Sequence, residues 1–173
     1  MRRALRALAI TLVCGLAFAD VGRAQQSADV EAVNALLDRF AELEDAMDET
    51  AQAALMAEDR VWIAQGEGRR TNQALNTQIQ QAQQDALQQA VPGIRFFTDY
   101  RDRLIRFYGD GTVAVASFYS YTTAVLPPNT PPNFADELAA IPPAAMTVVL
   151  ERRGQGWVVV HVHLSDLGPA PSP

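Results

Sequence analysis

Gly156-Trp-Val-Val-Val-His-Val-His-Leu-Ser165 is the stretch whose reading decides the fold. Its β-branched residues and its period-two placing of His161 and His163 describe a strand with two unlike faces. The turn Gly154-Gln-Gly156 precedes it, and residues 145–153 ahead of that turn share its composition, so the two segments form a hairpin. Straight alternation puts Trp157, Val159, His161, His163 and Ser165 on one face and Val158, Val160, Val162 and Leu164 on the other. The aliphatic row is the natural inner wall, which would turn both histidines outward.

A second hairpin lies upstream, with residues 94–108 and 112–126 on either side of Gly109-Asp-Gly111. Two long hairpins need a cover for one face. Val33, Leu36, Leu37, Phe40, Leu43 and Met47 recur every three or four residues and supply it as a helix of about 18 residues from Val30. Its other side carries Glu31, Asp38, Glu42, Glu44, Asp45 and Asp48, read as a solvated surface. Asp48 or Thr50 caps a short helix over 51–57, and a strand follows over 60–65, ended by Gly66-Glu-Gly68. Residues 71–90 are glutamine-rich but keep Leu75, Ile79, Ala82 and Ala86 at helical spacing, which makes a surface helix that stops at Pro92-Gly93. Between the hairpins stand six of the ten prolines, and Asn133 there is placed to cap a short helix over 134–140. One domain over 28–167 accounts for all of this, with a frayed tail over 168–173.

Arg2, Arg3 and Arg6 precede an uncharged run from Ala7 to Ala19 and then Gly22-Arg-Ala24, so residues 1–24 read as a secretory signal peptide and the product as periplasmic or secreted. The run is too short to cross a bilayer, so no membrane contact is expected after cleavage. The 173-residue chain carries a net charge of −6, and every one of its 14 basic residues is arginine. Cleavage removes four arginines, one aspartate and the single cysteine, Cys14, leaving −9 on the mature chain. An acidic surface repels polyanions, so nucleic acid is not an expected partner. Without lysine or a mature thiol, Schiff-base and thiolate chemistry are closed to it.

The order of helix, short helix, strand, helix and four long strands resembles the SnoaL-like proteins of the nuclear transport factor 2-like superfamily. Gly156, Trp157, Val160, His161, His163 and Ser165 carry most of that resemblance, and Met56-Ala-Glu-Asp59 is similar to the family's passage from helix to first strand. The resemblance implies an α+β fold: a cone-shaped, strongly bent antiparallel sheet wrapped around the long N-terminal helix, the nuclear transport factor 2-like or cystatin-like roll, with a pocket at its wide end. It also implies pairing into a homodimer through the outer sheet face. Members serve as isomerases, dehydratases, cyclases, association domains or ligand binders, so the fold leaves the activity open.

The carboxylate base of the ketosteroid isomerases in this superfamily would fall where Ile63, Ala64 and Gln65 stand, and Glu67 is the only acid nearby. His161 and His163, two residues apart on a strand, can share a ligand or act as a general base. A metal would need a third ligand such as Asp99 or Glu151, and neither metal nor cofactor is expected. Tyr119 and Tyr121, on a strand between Ser117 and Thr123, offer hydroxyl donors to a pocket. Trp62 and Arg101 complete the candidate pocket, Arg101 as a clamp for a carboxylate. The expectation is an exported protein binding a small, largely apolar molecule in its cone. The alternatives are an isomerase or lyase using His161 or His163 as base with Tyr119 or Tyr121 as donor, and an oligomerisation module with a vestigial pocket.

Overall fold

The computed structural model describes residues 25–64, 68–139 and 141–167. Residues 1–24, expected as a signal peptide, the turn expected around Glu67, the end of the helix expected over 134–140 and the tail from 168 lie outside the described residues.

Helix α1 runs over 25–45, and its stripe of Val33, Leu37, Phe40 and Ala41 is buried. The Asp48 carboxylate accepts from the Ala51 N–H at 2.8 Å and starts α2, Glu49–Ala53. Strand β1, Met56–Ala64, begins where the short helix was expected to continue. Tertiary pairing overrides the helical propensity of Ala53-Ala-Leu-Met-Ala57: the Val159 N–H donates to the Leu55 carbonyl at 3.0 Å, and Met56 pairs with Val159. A three-residue strand β2, Gly68–Arg70, turns back against β1 in the register Trp62 to Arg70.

Helix α3, Gln73–Ala90, is capped by Asn72, whose side chain accepts from the Leu75 N–H at 3.0 Å. Its glutamines tie it down. Gln73 donates to the Ala53 and Met56 carbonyls, while Gln81 accepts from the Glu49 N–H at 3.0 Å and donates to the Met47 carbonyl at 3.2 Å. Strands β3, Arg95–Tyr108, and β4, Val113–Val125, form the first hairpin, followed by α4, Pro132–Ala139. Strands β5, Ala144–Arg153, and β6, Gly156–Asp166, form the second.

The six strands make one curved, open sheet in the order β2-β1-β6-β5-β4-β3, antiparallel except that β1 lies parallel to β6. The α1 stripe packs into its concave face against Met56, Trp62, Phe118, Met146, Val148, Leu150, Trp157, Val159 and Val162. A second apolar cluster, Met47, Val91 and Ile94 with Phe134 and Leu138, seats α4 at one end.

Bulges in β6 and β3 set which of their side chains face inward, and β1 also shifts register between Met56 and Val61. In β6, Leu150 pairs with Val159 but Val149 pairs with His161, so Val160 is an extra residue. The straight alternation expected for this strand is therefore broken. Trp157 and Val159 are buried before the bulge and Val162 after it, while the histidines face away from the core. In β3, Arg101 pairs with Tyr119 and Leu104 with Ser117, and the surplus residue includes Asp102 at φ 56°. Tyr100 before that bulge and Ile105 and Phe107 after it all point inward.

Candidate functional site

Cross-strand partners share a sheet face, which fixes where each sequence candidate lies. Tyr119 pairs with Arg101 and Tyr121 with Asp99, and both pairs alternate with the buried Phe118 and Ser120. These side chains are brought together, but on the outer face. There Arg101 donates from Nε to Asp99 Oδ2 at 2.6 Å, with its guanidinium carbon 4.7 Å from the centre of the Tyr121 ring. His161 pairs with Val149 and His163 with Thr147, which also places them outside; His163 is exposed and His161 half-buried. As lining for the cone's interior, then, His161, His163, Tyr119, Tyr121 and Arg101 are on the wrong side of the sheet. The histidines face outward because they flank buried Val162 in strict alternation; the Val160 bulge acts upstream, bringing Trp157 and Val159 to the core side. Trp62 alone of the six faces the concave side, in register with buried Val162. No grouping of three His, Cys, Asp or Glu side chains able to hold a metal occurs among the described residues.

The concave side holds a different set of polar groups. Tyr100 Oη donates to Glu44 Oε2 at 2.7 Å, and the Tyr100 ring lies 4.5 Å from that of Phe118. Burial pushes the Glu44 carboxyl up to about 7; the hydrogen bond from Tyr100 pulls it back, and the charges of Glu49 and Asp45 add to the rise. Burial also lifts the Tyr100 hydroxyl well above the ordinary tyrosine range, helped by Glu44. Arg103 fixes this pair in place, donating to the Tyr100 carbonyl at 3.2 Å and pairing with Asp38 at 2.6 Å.

Arg60 lies two residues before Trp62 on β1 and is only 1% exposed. Its Nε and Nη1 are buried without a hydrogen-bond partner, as are the indole nitrogens of Trp62 and Trp157 and Oδ1 of Asp45. The Arg60 guanidinium carbon stands 5.6 Å from the Trp62 ring centre. Burial pulls the Arg60 pKa down and the neighbouring charge of Arg70 pulls it further, against a smaller opposing effect of Glu49. Glu49 itself is raised by burial, moderated first by a hydrogen bond from Gln84 and then by Arg60.

Sequence reading missed Glu44 by assigning it to the solvated row. Its spacing carried the signal, because four residues separate it from Phe40 and seven from Leu37, which puts it on the buried stripe. Arg60 was likewise legible as an inward residue from its alternation with Trp62.

Among solved structures, the chain resembles a nuclear transport factor 2-like protein with a cystatin-like fold from Novosphingobium aromaticivorans, at 19% identity and a TM-score of 0.64 over 86% of this chain and 88% of that one. A nuclear transport factor 2-like superfamily protein from Salmonella enterica serovar Typhimurium gives 20% identity and 0.61 over 86% and 96%. ActVI-ORFA from Streptomyces coelicolor gives 16% and 0.63 over 80% and 97%. At these identities the likeness speaks for the fold. No curated protein matches the chain. Residues 33–170 match the SnoaL-like domain, from the first buried residue of the α1 stripe to beyond the end of β6. The chain therefore belongs to the SnoaL-like domain family and has the nuclear transport factor 2-like fold.

Proposed function

We propose that this is an exported, homodimeric protein that binds a small, largely apolar molecule on the concave side of its sheet. The observation that carries the reading is the set of buried donors, Arg60 and the Trp62 and Trp157 indoles, left without partners in an otherwise apolar interior. Buried polar groups are nearly always hydrogen-bonded, and leaving one unpaired is costly, so these unsatisfied buried donors argue for a ligand that completes them. Export rests on the character of residues 1–24. Pairing rests on the uncovered outer face, where Leu104, Tyr108 and Tyr119 are at least 40% exposed; His161 and His163 then belong to assembly. Native mass spectrometry of the protein isolated from its producing cell tests this. One small molecule per chain, released on denaturation, is the expected result; bare polypeptide that no lipophilic probe stabilises counts against it.

The Glu44–Tyr100 pair favours a second reading, proton transfer of the isomerase or lyase kind with Glu44 as the base instead of a strand histidine. A carboxyl poised near neutrality beside a phenol donor suits that chemistry. Its test is the pH profile of any turnover found, which must follow one ionisation near 7 and disappear in Glu44→Gln.

A further inference from the structure

Arg60 and Trp62 project to the same side of β1, and Arg70 stands directly across from Trp62 on β2. Two guanidinium groups thus share one patch under α3. Arg70 donates to Asn76 Oδ1 at 2.6 Å, and buried Asn76 is itself held by Gln80 at 2.6 Å. Arg60 has no comparable acceptor for Nε and Nη1. The nearest carboxylate in electrostatic reach is Glu49, which forms no ion pair with it among the described residues and whose charge is disfavoured by burial. Arg60 is thus a buried cation with two unpartnered nitrogens inside an acidic protein.

A groove of about 260 Å³ beside β2 is lined by Arg70, Thr71, Asn72, Leu75, Asn76 and Ile79. Leu75 and Ile79, 54% and 42% exposed, give it an apolar wall, and Arg70 joins them in its lining. An apolar stem along Leu75 and Ile79 would place its head group by Arg70, the register partner of Trp62.

We infer that Arg60, with the Trp62 indole N–H, is the head-group subsite for a small organic carboxylate whose apolar body lies between the sheet and α3. One unpaired guanidinium and one neutral donor match a monoanion; a phosphate dianion would need more donors than the site holds. The inference rests on the concave-side binding reading and adds the charge of the ligand to it.

Decanoate and decanol, of equal chain length, separate the two claims when each is titrated into the purified protein and followed by thermal shift and calorimetry. The wild type is expected to bind decanoate at least about tenfold more tightly than decanol, and Arg60→Met to lose that preference. If decanol binds and decanoate binds no better, or if Arg60→Met binds both as the wild type does, the carboxylate assignment is overturned while concave-side binding stands. If neither binds, both fail. Should Arg60→Met not fold, Trp62→Phe keeps the guanidinium and removes one donor. It should weaken decanoate about threefold and decanol less; equal weakening of both ligands contradicts the assignment.

Discussion

Glu44 gains a proton on folding because its carboxyl is raised from 4.5 to about 7. A folded pKa above the unfolded one gives stability that is fully present below pH 4.5 and lost as pH rises through 7. Glu44→Gln keeps an acceptor for Tyr100 but cannot ionise. Relative to that variant, the wild type should lose up to about 3 kcal/mol between pH 4.5 and 7.5, measured by denaturant unfolding at several pH values. Parallel stability curves for the two proteins would contradict the burial of this carboxyl. Tyr100→Phe removes the donor that holds the acid down, so it should move the midpoint of the same pH transition upward and cost about 1 kcal/mol. At this scale the sequence was legible where spacing was heeded: Glu44 falls on the helical stripe, and only its charge argued for the surface.

For the elements, helices α1 and α3 and both hairpins follow from period and turn residues, and they stand within a few residues of where the sequence put them. The bulges were not legible, since Val160 is one valine in a run and nothing in its chemistry marks it as the surplus residue. Its effect is large, because it moves Trp157 and Val159 to the core side. Val159→Ala and Val162→Ala should each cost about 2 kcal/mol, and Val160→Ala less than about 1, in equilibrium unfolding. Straight alternation would instead make Val159 the tolerant position. Strand β2 escaped notice because three residues of Gly-Arg-Arg have no strand period, and the parallel pairing of β1 with β6 is a tertiary choice no local pattern encodes. On α3, exposed Leu75 and Ile79 have a use only if something covers them. Changing both to Gln should alter stability by less than about 1 kcal/mol while weakening decanol and decanoate alike.

Taken whole, among the described residues the molecule is a curved sheet with α1 packed against its concave face and an outer face left exposed at Leu104, Tyr108 and Tyr119. That outer face gathers Leu104, Tyr108, Tyr119 and the histidines, which accounts for why residues that look like an active site in the sequence end far from the interior. Their alternation with Val162 was readable; what the bulge changed is that Trp157 and Val159 join Val162 on the core side. Light scattering should give the mass of two chains for the wild type and of one for a Leu104→Glu, Tyr119→Glu double variant, with ligand binding retained by the monomer. The claim on which the rest depends is that the concave side binds a small apolar molecule. A thermal-shift titration of the purified protein with lipophilic acids and ketones tests it most directly. Saturable stabilisation by at least one of them, reaching about 2.7 kcal/mol at a hundredfold excess over Kd, is the predicted result. An unfolding temperature that none of them moves would contradict it.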